Sequence, residues 1–77
     1  MRSAASLEVG ASGVVDDVEG SDATALRLLE MGLVPGTSIT LIKRAPGGDP
    51  IQLQVRGFHL SLRIAEAGRV LLTGSPV

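Results

Sequence analysis

The stretch "LLEMGLVPGT", residues 28–37, lies where a helical pattern gives way to a strand pattern. Gly32 stands where helices commonly end in a left-handed residue, a conformation that glycine adopts without strain. With Gly32 in that position, Leu28 and Leu33 become the apolar pair that accompanies a Schellman ending. Pro35 and Gly36 then fit the two central positions of a type II turn. The stretch is therefore interpreted as a joint between a helix and a strand rather than as a ligand-binding loop.

The residues before this joint give the one clear helix signal of the chain. In "SDATALRLLEMG", Ser21 or Asp22 can accept a backbone N–H and cap the first turn. Apolar residues recur at helical spacing, and we expect them to form the face that packs on the core. This predicted face comprises Leu26, Leu29 and Leu33, widened by Ala25 and Leu28.

The residues after the joint alternate as strands do, in "TSITLIKRA" and again in "IQLQVRG". For the apolar residues of both strands to share the core side, Leu41 must face Leu53 and Ile39 must face Val55. That register predicts a loop at about Ala45–Asp49, and it leaves Ile42 on the outside unless a β-bulge intervenes.

A third alternation, "GFHLSLR", places Phe58, Leu60 and Leu62 inward in a further strand. A first strand is expected at about 13–18, a single helical turn at "IAEAG", and a last short strand at "RVLL". Short strands joined by tight turns in so small a chain predict a mainly β fold. The expected architecture is a small, partly open antiparallel barrel with one inserted α-helix.

Composition excludes several classes of function. The chain has 77 residues, no cysteine, a single aromatic residue and a net charge of −1. A near-neutral chain lacks the basic surface that neutralises phosphates, and base stacking requires aromatic platforms, so we expect no nucleic-acid partner. No apolar run is long enough to span a bilayer, so direct membrane insertion is not expected. Disulfides and thiolate metal sites are excluded, and the cytoplasm is the expected compartment.

Catalytic and metal-binding patterns are also weak. His59 is the one histidine, and no cysteine is present, so the sequence offers no nucleophile with an evident base. We assign no catalytic, cofactor-binding or metal-ligating residues. Four carboxylates gather around one turn, but they lack the spacing of a calcium-binding loop. They are Asp16, Asp17, Glu19 and Asp22. A small rigid surface for contact with another protein is what remains.

Three stretches resemble one family. "LLEMGLVPGT", "RAPGGDPI" and "RGFHLSLR", in this order and at this spacing, look like the FeoA family, the small accessory of bacterial ferrous iron uptake. The resemblance extends back to about Leu7. It implies an SH3-like barrel with an inserted helix over residues 7–73, and we expect a disordered N-terminal tail at 1–6 and a C-terminal tail at 74–77.

The resemblance implies a non-enzymatic cytoplasmic protein that binds and modulates the FeoB transporter through that partner's GTP-binding region. Such a protein would reach the inner membrane only at its periphery, through the transporter. The family brings no agreed catalytic or metal residues to these positions. Our candidate contact residues are those expected outside on the hairpin and at the joint. They are Val34, Thr40, Ile42, Arg44, Gln52, Gln54 and Arg56.

Two other functions stay open from the sequence. FeoA-like modules also form the C-terminal domains of iron- or manganese-responsive repressors, so this chain could be a metal-responsive regulatory module. In that case the four clustered carboxylates, with His59, would bind a transition metal. A third hypothesis is a weak homo-oligomer formed by pairing of exposed strand edges.

Overall fold

The structure, a computed structural model, describes residues 2–73 and contains five antiparallel strands in one sheet. The strands are β1 (Ser12–Val18), β2 (Ser38–Arg44), β3 (Ile51–Val55), β4 (Phe58–Leu62) and β5 (Val70–Leu72). Helix α1 (Ala23–Glu30) follows β1, and the one-turn helix α2 (Ile64–Ala67) follows β4. The strand order is β4-β3-β2-β1-β5. The prediction of a mainly β fold with one inserted helix is confirmed.

Strand β1 changes partners half-way along its length. Its first half pairs with β2, and its second half pairs with β5 from Val15 onward, with an irregularity between Val15 and Asp17. A strand that bends at a bulge and continues in another direction forms the corner of a barrel. One long strand therefore turns the sheet around a common core.

The core is aliphatic, as the shortage of aromatic residues requires. Alternate residues of β2, β3 and β5 point inward and meet side chains from α1, α2 and the N-terminal segment. The buried apolar residues are Ala4, Leu7, Val15, Val18, Ala25, Leu28, Leu33, Ile39, Leu41, Ile51, Leu53, Val55, Leu62, Ala67, Val70 and Leu72.

The predicted ending of helix α1 is confirmed. Gly32 has φ 101°, and its N–H donates to the Leu29 carbonyl at 3.0 Å. The Leu33 N–H donates to the Leu28 carbonyl at 3.3 Å, which completes the Schellman pattern. The type II turn follows directly, with Gly36 at φ 93° and the Thr37 N–H donating to the Val34 carbonyl at 3.1 Å.

The buried face of α1 differs from the prediction at one residue. Leu26 is 57% exposed, whereas Ala25 and Leu28 are buried and Leu29 is half-buried. A short helix lying on a barrel buries a narrow stripe, and here that stripe is centred on Ala25 and Leu28. Leu26 lies about 100° around the helix from Ala25, which turns it toward solvent.

The β2–β3 register is confirmed for Leu41 opposite Leu53, and a bulge follows. The register shifts between Leu41 and Lys43, so that Lys43 pairs with Gln52. The loop therefore runs from residue 45 to residue 50, one residue longer than predicted. Because of the extra residue, Lys43 faces outward and Arg44 faces inward, the reverse of simple alternation. The Lys43 ammonium is thereby kept out of the core.

Strand β4 is less buried than predicted. Leu62 is buried, Leu60 is half-buried and Phe58 is 44% exposed. The strand lies at the end of the sheet and has a neighbour on one side only, so its inward side chains are covered incompletely. The expectation that Phe58 points into the core is wrong.

The predicted disordered tail at 1–6 is wrong for residues 3–6. Ala4–Ser6 form a 3₁₀ turn in which Ala4 is buried. Ser3 forms an isolated antiparallel bridge with Leu71 on the outer edge of β5. The small alanine side chain is what lets this segment lie close against the barrel. Position 1 and the predicted tail at 74–77 lie outside the described residues.

Candidate partner-binding surface

The register aligns polar side chains in rows across the outside of the sheet. One row runs over four strands through Ser12, Thr40, Gln54 and His59, and a second runs through Lys43, Gln52 and Ser61. We call these residues the polar face. They face outward because the alternate residues of the same strands fill the core. The polar face consists of Ser12, Thr40, Lys43, Gln52, Gln54, His59 and Ser61.

Hydrogen bonds link members of the polar face across strands. The Ser12 and Thr40 hydroxyl oxygens are 2.7 Å apart, and the Gln52 Nε2 and His59 Nδ1 atoms are 3.4 Å apart. Lys43 is the one lysine, arginine or acidic residue among them, and no serine or threonine hydroxyl of the polar face is hydrogen-bonded to His59. Such a face offers hydrogen-bond donors and acceptors to another protein's surface.

The structure brings together three of the seven predicted contact residues. Thr40 and Gln54 are cross-strand neighbours, and Gln52 is two residues along the same strand from Gln54. Gln54 is exposed, while Thr40 and Gln52 are half-buried. The predicted outward placement of this group agrees with the sheet, and its contact with a partner stays a prediction.

Arg44 is not on the polar face, contrary to the prediction. The bulge at Ile42 moves Arg44 opposite Ile51, on the inner side at the end of the barrel. There its Nη2 donates to the carbonyl oxygens of Ala5 at 3.0 Å and Leu7 at 2.7 Å. Arg44 therefore fastens the N-terminal segment to the barrel.

The other three predicted residues lie outside the polar face, at three separate places in the chain. Ile42 is the half-buried extra residue of the bulge, not the exposed side chain that was expected. Arg56 is exposed in the turn between β3 and β4, with φ 36°. Val34 is 38% exposed in the type II turn. We use the term contact surface for Val34, Thr40, Ile42, Gln52, Gln54 and Arg56.

Sequence reasoning missed Phe58 as a surface residue. Its ring lies over the joint, with Cζ 3.7 Å from the position that a Cβ on Gly32 would occupy. The aromatic ring thus connects the β3–β4 turn with the end of α1. Its place directly after a tight turn was visible in the sequence, but its position at the edge of the sheet was not.

The four clustered carboxylates are not gathered at one point in the structure. Asp22 Oδ1 accepts the Ala25 N–H at 3.1 Å, which caps α1, and it also accepts from Arg69 Nη2 at 2.6 Å. The hydrogen bond from Arg69, followed by the one from the helix, holds the pKa of Asp22 below its usual value. Asp17 Oδ1 accepts the neighbouring Val18 N–H. Over residues 2–73, no group of three or more His, Cys, Asp or Glu side chains could hold a metal ion.

A shallow concavity of about 400 Å³ lies beside the polar face at the end of the β2–β3 hairpin. Lys43, Pro46, Pro50 and Ser61 are among its lining residues. Enclosed ligand sites are mostly lined by hydrophobic and aromatic side chains, and no aromatic residue lines this concavity. Separately, none of the helices within residues 2–73 is long and apolar enough to cross a membrane.

The family model for the FeoA domain matches residues 3–73 of this chain. The chain belongs to the FeoA family. A curated FeoA–FeoB relative is the Fe(2+) transport protein A/Fe(2+) transporter FeoB fusion protein of Porphyromonas gingivalis, 36% identical over 64 residues. That match covers 83% of this chain and 8% of the fusion protein. The family is thereby associated with ferrous iron transport, as predicted.

Solved FeoA structures share the whole fold. The crystal structure of Stenotrophomonas maltophilia FeoA complexed with zinc has a TM-score of 0.85 and 35% identity, with 95% of this chain and 91% of that chain covered. It is described as an SH3 domain protein possibly acting as a ferrous iron transport activating factor. The FeoA protein of Chlorobium tepidum has a TM-score of 0.84 and 31% identity, covering 92% of this chain and 68% of that one. The SH3-like barrel expected from the resemblance is confirmed.

A manganese-dependent transcriptional repressor complexed with manganese shares the fold with a TM-score of 0.83. It is 15% identical to this chain, which covers 35% of its length. At that identity the likeness shows the barrel alone, and it transfers neither metal ligands nor a regulatory role.

Proposed function

We propose that this chain is a non-enzymatic cytoplasmic accessory protein of ferrous iron import that docks on a FeoB-type transporter. The observation that carries the proposal is the Porphyromonas gingivalis relative, in which a FeoA-like sequence and FeoB form one polypeptide. Fusion holds two modules at a high effective concentration, which is useful when the two contact each other. A separate FeoA chain would make the same contact by diffusion, at the periphery of the inner membrane.

The contact surface supports docking on a globular partner domain, and we assign the transporter's GTP-binding region to that role. Thr40, Gln52 and Gln54 present neutral amide and hydroxyl groups that suit the polar part of an interface. Val34 in the type II turn and Arg56 in the β3–β4 turn add an exposed apolar group and an exposed guanidinium. Arginine is among the residues that most often dominate the energy of protein interfaces.

A matched pair of substitutions tests the docking. Val34→Glu places a charge in the contact surface and is expected to reduce co-purification with FeoB by about tenfold or more. Val9→Glu makes the same change at a side chain that is 61% exposed and lies before β1, and it should bind as the unsubstituted protein does. Both measurements use the full-length transporter and its isolated GTP-binding region, with and without GTP.

Two results would contradict the assignment. Equal binding by the Val34→Glu protein and the unsubstituted protein would move the contact away from this surface. Absence of any binding between the unsubstituted protein and the full-length transporter would overturn the docking itself. Circular dichroism of both variants separates a binding defect from unfolding.

The metal-responsive regulatory module is supported less well, although the Stenotrophomonas maltophilia FeoA structure is a complex with zinc. The likeness to the manganese-dependent repressor is one of fold, and the carboxylates of residues 16–22 are spread between a helix cap, a backbone bond and solvent. Titration calorimetry with Fe²⁺ and Mn²⁺ distinguishes the two functions. Micromolar affinity that Asp16→Asn abolishes would favour metal sensing over docking.

A further inference from the structure

The two edge strands of the sheet, β4 and β5, differ in whether another segment of the chain covers their outer edge. At one end, β5 is covered by the N-terminal segment: Ser3 bridges Leu71, and the Leu72 N–H donates to the Arg2 carbonyl at 2.9 Å. At the other end, β4 pairs with β3 alone. Over residues 2–73, no backbone hydrogen bond from another segment reaches the outer edge of β4. One edge is therefore closed by the protein itself and one is open.

The register shows which backbone groups the open edge presents. Arg56 and Gly57, at φ 36° and 85°, form a two-residue turn of the I′ type between Val55 and Phe58. In such a turn the Val55 carbonyl accepts the Phe58 N–H, so these two residues bond to each other. Antiparallel pairs alternate, and the N–H and C=O groups of the intervening residues point away from β3. In β4 those residues are His59 and Ser61, and both are exposed.

Nothing in β4 protects this edge from pairing. Natural sheets guard their edges with charged side chains, prolines or bulges, and "FHLSL" contains no proline, lysine or acidic residue. The register with β3 is regular along the whole strand. The strand also leaves apolar surface uncovered, with Phe58 at 44% exposure and Leu60 half-buried. Such an edge is suited to receiving another strand.

We propose that the strand it receives is β4 of a second copy of this chain, antiparallel and related by a two-fold axis at Leu60. In this arrangement His59 exchanges backbone hydrogen bonds with Ser61 of the second copy. Phe58 lies opposite Leu62 of the second copy, and Leu60 lies opposite itself. Phe58 of each copy thereby lies beside Leu62 of the other, and the two half-buried Leu60 side chains cover each other. The same contacts occur twice, which is the self-complementarity that a two-fold interface requires.

Two other registers also bring the outward N–H and C=O groups of both strands together, but they pair fewer residues of β4. One places His59 opposite itself and the other places Ser61 opposite itself, and each leaves part of β4 unpaired. The register centred on Leu60 uses all five residues of the strand. A single pair of short strands makes a small interface, so the dimer forms and dissociates with concentration. This inference does not depend on the transporter proposal.

Sedimentation velocity of the full chain tests the dimer. We expect the sedimentation coefficient to rise from a monomer value to a dimer value between about 10 µM and 1 mM, the range of weak interfaces. Phe58→Lys places a charge in the paired edge and should raise the dissociation constant about tenfold or more. Val9→Lys, the matched control on an exposed valine away from β4, should leave it unchanged. A monomer at all concentrations, or equal weakening by both variants, would overturn the proposal.

Disulfide trapping tests the register, since the chain has no cysteine of its own. Because His59 faces Ser61 of the second copy, an equimolar mixture of the His59→Cys and Ser61→Cys proteins should form a mixed disulfide dimer on mild oxidation. Directly opposite residues in such a pair have Cα atoms about 5.5 Å apart, within disulfide range. Each variant alone should cross-link far more slowly, because its own cysteines are not opposite each other. Equal cross-linking of either single variant and the mixture would contradict the register.

Discussion

Thr37 is a polar residue buried within an apolar core. Its side chain is fully buried, and its hydroxyl oxygen has no hydrogen-bond partner in the structure. Its backbone is fully used, because the Thr37 carbonyl accepts the Val15 N–H at 2.8 Å and its own N–H closes the type II turn. A buried hydroxyl without a hydrogen-bond partner loses its hydration and forms no bond that compensates, so it destabilises the folded state. The site therefore needs a β-branched shape and not the oxygen.

Thr37→Val should for this reason stabilise the protein, by about 1 kcal/mol in the free energy of unfolding. Valine keeps the β-branched shape and removes the unpaired hydroxyl. Urea denaturation provides the measurement, through the midpoint at unchanged slope. Thr37→Ser is the control, since it keeps the hydroxyl and loses a methyl group, and it should destabilise. A clear loss of stability in the valine variant would mean that the hydroxyl is hydrogen-bonded.

Arg44 shows how one inserted residue redirects a side chain. Simple alternation along β2 places Arg44 outside with Thr40, whereas the bulge at Ile42 reverses the sides from Lys43 onward. The Arg44 guanidinium then meets the carbonyl oxygens of residues 5 and 7. The N-terminal segment is thereby held in place, which the lack of periodicity in its own sequence did not indicate.

Helices α1 and α2 are each followed by a glycine, and the two glycines have different backbone conformations. Gly32 follows α1 with φ 101°, while Gly68 follows α2 with φ −64° and remains in the right-handed region. A Cβ at either position would find room, at 3.7 Å from Phe58 Cζ for Gly32 and 3.5 Å from the Ile64 carbonyl for Gly68. The difference between the two sites is therefore one of backbone conformation.

Alanine substitution at the two glycines should give opposite results. Gly32→Ala forces a left-handed alanine and should lower the free energy of unfolding by about 1 kcal/mol. Gly68→Ala needs no change in the backbone and should be neutral or stabilise by up to about 1 kcal/mol, because it restricts the unfolded chain. Thermal unfolding of the two variants side by side is the measurement. If both variants lost the same stability, steric crowding by the added Cβ, and not the backbone φ angle, would explain the loss.

At the scale of the whole molecule, ion pairs join segments that are distant in sequence. Arg69, just before β5, donates to Asp22 at the start of α1, and its Nε donates to the Glu19 carbonyl at 3.1 Å. Arg27 of α1 pairs with Glu66 of α2. Both pairs bring the α1 segment against the C-terminal part of the chain. They lie near the surface, so each contributes modestly and depends on salt.

The Asp22–Arg69 pair should make stability depend on pH in one direction. Arg69 lowers the pKa of Asp22 in the folded protein, so the stabilisation is present above the usual aspartate range and is lost as pH falls through the lowered value. Asp22→Asn keeps a capping oxygen and removes the charge. Its melting temperature should fall below that of the unsubstituted protein above about pH 5, and the gap should narrow toward about pH 3.

The control for this measurement is Asp16→Asn, an exposed carboxylate with no hydrogen bond among the described residues. It should track the unsubstituted protein across the same pH range. A gap for Asp22→Asn that stays constant down to low pH would assign the effect to the cap rather than to the charge. Raising the salt concentration should narrow the gap as well, since both groups of the pair are near solvent.

Much of the fold was predictable, and less of the contact surface was. The helix end, the type II turn and the pairing of Leu41 with Leu53 follow from local rules for glycine, proline and alternation. Three of the seven predicted contact residues lie together on the polar face, because alternation in β2 and β3 decides their side of the sheet. Arg44 and Ile42 were misplaced, since no local pattern marks the bulge.

The sequence by itself determined the end of α1 and the type II turn after it, which residues of β3, β5 and the first half of β2 face inward, and that the core is aliphatic. These features depend on side-chain spacing and on the backbone freedom of single residues, which are local properties. The tertiary structure alone decided that β4 lies at an open edge, that the N-terminal segment closes β5, and that Phe58 is exposed. Each of these depends on which strand has a neighbour, and that is settled only when distant segments pack together.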